Sequence, residues 1–258
     1  NELRKNVEML IENKVDFLKA YEMLSPSQFK LLTELAKKNN LKLTGHVPLS
    51  INVEIASSSG LNSIEHFRNI ELSMTKMTND LLKERKAILK NKSALRGASL
   101  RSLLHNKQRM RSIYNLDSSK IKNVVDILVK NDTWQIPTLK LYKNFASKSY
   151  KSKQYDSYLN LLPKNIGENW RKSISQLEDN EDKERMDFTK WQSSMVKYMH
   201  KKGITFMAGT DTPIGFLVPG LSLHQEIEEL TNSGLTNLEA LKAATINPSK
   251  YFNLQDSL

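Results

Sequence analysis

Apolar positions along this chain change period several times, and each change marks an element. Asn1 to Asn13 places Leu3, Val7, Leu10 and Ile11 on one helical face, which predicts an amphipathic helix. Val15 to Tyr21, VDFLKAY, is apolar except for Asp16 and Lys19 and predicts a strand. Ser25-Pro-Ser-Gln28 supplies a capping hydroxyl, a proline suited to the first helical position and the glutamine of a capping box. Phe29, Leu32, Leu35 and Ala36 form the buried stripe of the helix it opens, which ends near Asn39-Asn40. Leu41 to His46 predicts a second strand, and a short helix capped by Asn52 and stopped at Gly60 follows. Asn62 to Phe67 predicts a third strand. Strands and helices alternating at this spacing predict βαβ units and a parallel sheet, so the fold class is α/β.

The stretch from about 68 to 130 is long, charged and poor in glycine, and reads as several helices. Trp134 to Leu141, WQIPTLKL, predicts a fourth strand that Pro137 keeps short. Residues 142–200 are polar with helical spacing and include a solvated acidic run from Glu178 to Glu184. Ile204 to Pro213, ITFMAGTDTP, begins as a β-branched apolar run and ends in a small-residue turn, which predicts a fifth strand opening into a site at Asp211. A helix from Leu221 to Ser233 stops at Gly234. Thr236 and Glu239 form a second capping box, and the helix it opens carries Leu238, Leu241, Ala244 and Thr245.

Composition narrows the classes. The 258 residues include no cysteine, which removes disulfides, thiolate nucleophiles and cysteine-based zinc sites. No apolar run approaches the length of a membrane span, and the mean hydropathy is −0.51. Residue 1 is not Met and no signal peptide is visible, so the compartment is left open. The net charge is +11, and much of the excess lies between Lys83 and Lys130 in stretches such as KERKAILKNK and HNKQRMR. The bland explanation is a solvated helical face. No RNP-like motif, zinc finger or aromatic-interleaved strand accompanies the charge, so a nucleic-acid partner is not expected, although a basic nucleic-acid-binding module is one alternative function.

Four predicted strands end in groups able to hold a hard or borderline divalent metal: Lys19, His46, His66 and Asp211. Each group alone is more often structural; Asp211, for example, could simply cap a turn. An ammonium in an apolar strand is costly, so Lys19 either snorkels outward or is used chemically. In a parallel barrel the C-terminal strand ends share one rim, where residues distant in sequence converge. Tyr21, two positions after Lys19, falls on the same strand face.

The segments VDFLKAY, TGHVP, SIEHF and AGTDTP, with the tail PGLSLHQEIEEL and GLTNLEALKAATINPSKYFNL, resemble the amidohydrolase superfamily, in its imidazolonepropionase-like and prolidase-like branch. The resemblance covers both ends of the chain and is weak through residues 68–200. It implies a (β/α)8 TIM barrel of the metal-dependent hydrolase type, with residues 1–258 a partial barrel domain and helical insertions at about 68–130 and 142–200. It implies one or two divalent metals, zinc by preference. Lys19 would carry a carbamate as the bridging ligand, His46 and His66 would ligate the second metal, and Asp211 would ligate the first and shuttle the proton. A metal-bound hydroxide would then cleave an amide, peptide or cyclic amide C–N bond, in a dipeptidase or prolidase manner. Tyr21 and His224 are the implied substrate-binding residues.

The chain departs from that pattern in one respect. None of its five histidines (His46, His66, His105, His200 and His224) forms the His-X-His pair that opens the family's barrel. The expectation is therefore a barrel lacking strands 1–3 and the accessory β-sandwich, captured as the C-terminal part of a larger hydrolase. Its exposed edges would be covered by the missing strands or by a homo-oligomer partner, and its substrate would be a small molecule or a dipeptide. The alternative in the same frame is a catalytically incomplete fragment without bound metal.

Overall fold

The computed structural model describes residues 2–90, 95–178 and 182–256. Positions 91–94 of the basic stretch and 179–181 of the acidic run lie outside the described residues. The chain divides into two compact units, one of Asn1–Ile136, Lys201–Phe206 and Ser249–Leu258, the other of Pro137–His200 and Met207–Pro248.

In the first unit α1 (Glu2–Glu12) precedes β1 (Phe17–Ala20), α2 (Pro26–Lys38), β2 (Lys42–Gly45), α3 (Val53–Ser59) and β3 (Ser63–Glu65). Four helices follow, α4 (Ile70–Ser73), α5 (Thr78–Lys90), α6 (Gly97–Ile113) and α7 (Ser118–Lys130), and then β4 (Trp134–Ile136). The capping box of α2 forms as its sequence predicts, with Gln28 N–H donating to Ser25 Oγ and Ser25 N–H to Gln28 Oε1 at 3.2 and 2.8 Å. The predicted stripe Phe29, Leu32, Leu35 and Ala36 is buried. In α1 only Val7 of the predicted apolar face is buried, and Leu10 is 39% exposed.

Pairing is parallel. Lys19 stands opposite Thr44 and Ala20 opposite Gly45, while Glu65 stands opposite Ile136. Asn62 joins the two pairs: its N–H donates to Leu43 O and its Oδ1 accepts from Leu43 N–H, both at 2.8 Å. Gly45 has a φ of +120°, and a Cβ there would sit 2.3 Å from Ala20 O, so only glycine lets β2 close on β1 immediately before His46. Leu18 and Ala20 are buried, while Phe17 and Lys19 point to the other face.

The fifth predicted strand is not a strand. A single parallel bridge joins Gln135 to Phe206, with Gln135 N–H donating to Thr205 O at 3.0 Å. Past it the backbone leaves the ladder, Ala208 N–H donating instead to Ala243 O. Asp211 has a φ of +56°, a left-handed conformation that no extended strand contains. The fourth strand stops at Ile136, because Pro137 has no N–H to donate and Leu139 already starts a helix.

The first residues of all four strands meet aromatic cover from the last helical segment. The Tyr251 hydroxyl lies 3.0 Å from Ser63 Oγ and its ring 5.3 Å from that of Trp134, with Lys42 Nζ above it. Phe252 packs on Phe17 with ring centroids 5.3 Å apart. Burial pushes the Tyr251 hydroxyl up to about 12. That end of the strands is therefore occupied by aromatic rings, and the C-terminal ends are left for chemistry.

The second unit is helical, with α8 (Leu139–Ser147), α9 (Lys153–Tyr158), α10 (Lys164–Ser175), α11 (Lys183–Lys201), α12 (Leu221–Asn232) and α13 (Asn237–Ala244). Tyr150, Tyr155, Leu159, Ile174 and Val218 form a core cluster in it. Glu226 is fully buried and caps α8 from a distance, its two oxygens accepting from Leu139 N–H at 2.9 Å and Lys140 N–H at 2.7 Å. Burial raises its pKa to about 8. The capping box of α13 forms, but its buried face is Ala240 and Ala243, and Leu238 is 60% exposed. Small residues face inward there, which allows close helix packing and turns the larger leucines out.

Candidate metal centre

The C-terminal ends of β1, β2 and β3 bring Lys19, Tyr21, His46 and His66 together around a residue that the motif reading did not single out, Glu65. Glu65 Oε2 lies 2.7 Å from Lys19 Nζ, 3.6 Å from His46 Nε2 and 3.7 Å from His66 Nε2. The two imidazoles meet edge to face at 5.0 Å, and the Tyr21 ring lies against His46 at 4.6 Å. His66 and Phe67 both take positive φ, 60° and 52°, so the chain turns sharply as β3 ends and directs His66 beside Glu65.

Among the described residues, His46, Glu65 and His66 form a group whose ligand atoms all lie within 4.8 Å of one another. A tetrahedral ion with bonds of about 2.0–2.1 Å needs its ligands roughly 3.3 Å apart, close to what is present. Both ring nitrogens of His46 are buried without a hydrogen-bond partner, and the lone pair of the unprotonated one is what a cation would satisfy. Two imidazoles and a carboxylate suit zinc, iron or manganese. The donor set therefore fits a divalent metal.

Protonation states agree with this. Burial on its own would raise the Glu65 pKa, but the contacts with His46 and Lys19 hold it down at about 2. Burial, with the nearby charge of Arg68, lowers His66 to about 3, so its imidazole is neutral, as a ligand must be.

A second layer lies behind His46. Glu22, just past β1, is fully buried, with Oε1 2.7 Å from His105 Nε2 and Oε2 3.4 Å from His46 Nδ1. Arg101 Nε lies 3.6 Å from the same Oε2, and Arg101 Nη1 donates to the Tyr21 hydroxyl at 3.2 Å. Past β3, the buried Arg85 of α5 donates from Nε to Gln108 Oε1 at 2.5 Å and from Nη1 to Asn69 Oδ1 at 2.8 Å. Asn69 Nδ2 in turn donates to Val47 O at 2.7 Å, next to His46. Lysines of the basic stretch such as Lys83, Lys86, Lys90 and Lys107 are exposed, as a solvated face requires, whereas Arg85 is not. Arg85, His105, Gln108 and Ser112 are buried, and α5 and α6 pack their polar stripes against the centre.

Glu22, Glu65, Arg101 and His105 escaped the motif reading. Glu65 had a signal, as the neighbour of His66 at a strand end. Arg101, His105, Gln108 and Ser112 recur at helical spacing, but such a stripe of polar residues looks the same in sequence whether it faces water or a buried carboxylate. Asp211 and His224 belong to the second unit, where both are exposed. Asp211 sits in a turn whose carbonyl accepts from Ile214 N–H at 3.1 Å.

These imidazoles make stability depend on pH. The pKa values of His66 and His105 are lowered from 6.5 to about 3 by burial. Between those values the unfolded chain binds protons that the folded chain does not, so stability rises with pH and falls on acidification. Each histidine is expected to remove about 2 kcal/mol by pH 5 relative to pH 8. A melting temperature of the metal-free protein that stays flat over that range would show the imidazoles to be charged in the native state.

No protein-family model matches the chain, and no curated protein matches it. Solved structures do. The chain resembles a bottromycin amidohydrolase with a TM-score of 0.64 and 18% identity, covering 99% of this chain and 50% of that one. It resembles a Xaa-Pro dipeptidase with bound methionine in its active site at TM-score 0.54 and 14% identity, over 99% and 48% of the two chains. An A. niger ochratoxinase matches at TM-score 0.54 and 17% identity, over 97% and 43%. The chain shares its fold with amidohydrolase-type enzymes. At this identity the likeness is one of fold, and the chain spans about half the length of the structures it matches.

Proposed function

We propose that the protein is a metal-dependent hydrolase of C–N bonds, built on a (β/α)8 barrel of which this chain forms part. The observation that carries the reading is the convergence of His46, Glu65 and His66 at the C-terminal ends of two successive strands, β2 and β3, in a fold shared with amidohydrolase-type enzymes. His46 and His66 would hold the ion, zinc by preference. A divalent ion polarises a substrate carbonyl and lowers the pKa of a water towards 7. Asp211 would take the proton of the attacking water and return it to the leaving nitrogen. Asp211 and His224 enter on their sequence motifs. Tyr21 would bind a substrate carboxylate, and its hydrogen bond from Arg101 supports an anionic group at that place. Dipeptides ending in proline or another residue, and cyclic amides, are the substrate classes.

The third ligand is proposed to be a carbamate on Lys19. In its absence the ammonium of Lys19 is held by Glu65, as here. Carboxylation would turn that attraction into repulsion between two anions, which a cation between them relieves. Bicarbonate is therefore expected to tighten zinc binding about tenfold or more, judged by the effect of removing one supporting group. Lys19→Arg, which keeps the charge but cannot be carboxylated, should not respond. Indifference of the natural protein to carbon dioxide would assign the third position to Glu65.

The whole reading is tested by zinc titration of the purified protein against a chromogenic chelator, followed by amine release from a dipeptide panel. Failure to take up any of zinc, manganese and iron would defeat it.

A further inference from the structure

We infer that Glu22 is a positioning residue of the metal centre: it holds His46 as the Nδ1-protonated tautomer, and helix α6 holds Glu22 in place through His105 and Arg101. The inference rests on the metal-dependent reading above and deepens it.

The geometry is directional. His46 presents Nδ1 to Glu22 Oε2 at 3.4 Å and Nε2 to Glu65 Oε2 at 3.6 Å. Neither nitrogen makes a hydrogen bond and each faces a carboxylate, which only accepts; Glu65 Oε2 is already engaged by Lys19 Nζ at 2.7 Å, whereas Glu22 Oε2 has no hydrogen-bond partner and lies closer, which assigns the proton to Nδ1. That leaves the Nε2 lone pair directed to the side where His66 and Glu65 gather. Metal-ligating histidines are commonly oriented in this way, with the far nitrogen donating to a carboxylate that fixes the tautomer and raises ligand basicity.

Glu22 is also well restrained. Its other oxygen faces His105 Nε2 at 2.7 Å, and Arg101 Nε approaches Oε2 at 3.6 Å. Its backbone carbonyl accepts from Leu49 N–H at 2.8 Å. Leu49 itself packs with Leu100 and Leu104 of α6. One helix thus supplies the cation, the imidazole and the apolar anchor that fix a single carboxylate. The helical stretch between β3 and β4 is accordingly part of the metal site, where the motif resemblance is weakest.

The test uses the full-length protein and zinc. Glu22→Gln is expected to weaken zinc binding by about 10- to 100-fold, and His105→Gln by about tenfold, with circular dichroism showing the fold retained. Glu22→Asp, which keeps the carboxylate, should bind more tightly than Glu22→Gln. Imidazole nitrogen NMR of the metal-free natural protein should place the His46 proton on Nδ1, and Glu22→Gln should shift it towards Nε2. A folded Glu22→Gln within about threefold of the natural protein overturns the inference. So does a natural protein with the His46 proton on Nε2, a result that needs no variant to fold. Absence of zinc binding with the Nδ1 proton in place defeats the hydrolase reading and leaves the Glu22–His46 assignment standing.

Discussion

His66→Ala is expected to abolish zinc binding by this protein while leaving its fold intact. His66 contributes one of three clustered ligand atoms, with Nε2 3.7 Å from Glu65 Oε2. Loss of an outer-layer partner lowers metal affinity by 10- to 100-fold, so loss of a ligand should cost more than about 100-fold. The substitution also removes a buried neutral imidazole, so the metal-free variant should lose less stability than the natural protein when acidified below pH 6.5, the ordinary histidine pKa. Two readouts, metal affinity and acid resistance, therefore move in opposite senses, which separates ligand loss from general damage. Equilibrium dialysis with zinc is the direct measurement. Retention of affinity within tenfold would remove His66 from the site. The same variant distinguishes the nucleic-acid reading, in which affinity depends steeply on salt and is untouched by this change.

The second large effect is expected at Arg85. Its side chain is fully buried, and burial lowers its pKa only to about 10, so it remains a cation at neutral pH. It donates to Gln108 and Asn69, and the charges of Glu71 and Glu22 favour its ionised form. Arg85→Ala leaves those acceptors without the donor around which they are arranged, and breaking a buried ionic network from one side costs about 3–5 kcal/mol. Urea unfolding would measure it. A loss below about 1 kcal/mol would show that the acceptors find other donors. Asn69 bridges Arg85 to the carbonyl of Val47, and it follows His66 closely in sequence. The substitution is therefore also expected to weaken zinc binding, whereas changing an exposed lysine of the same helix, such as Lys86, should alter neither property.

The legible part of this protein is the part written in local chemistry. Capping residues at Ser25, Asn52 and Thr236 set helix starts wherever they fall, because each satisfies backbone donors only a few residues away. Lys19, His46 and His66 were legible as a set because strand ends in a parallel sheet must converge, whatever lies between them in the chain. Gly45 has a local reading too, as a residue without Cβ in a left-handed conformation.

What was not legible depends on which partner meets a residue across the fold. No motif around Glu22 or His105 marks them as a buried pair, since they are far apart in sequence and each becomes a partner only through the fold. Arg85 looked like one more surface charge among lysines. Residues 204–213 had a strand's apolar pattern, but its N–H groups past Phe206 found a carbonyl at Ala243 rather than a neighbouring strand. Periodicity and caps, being short-range, determined the elements and the candidate ligands. Only tertiary packing decided which charges are buried, because a charge pairs with whatever lies nearest in space, and that neighbour is known only once the chain has folded.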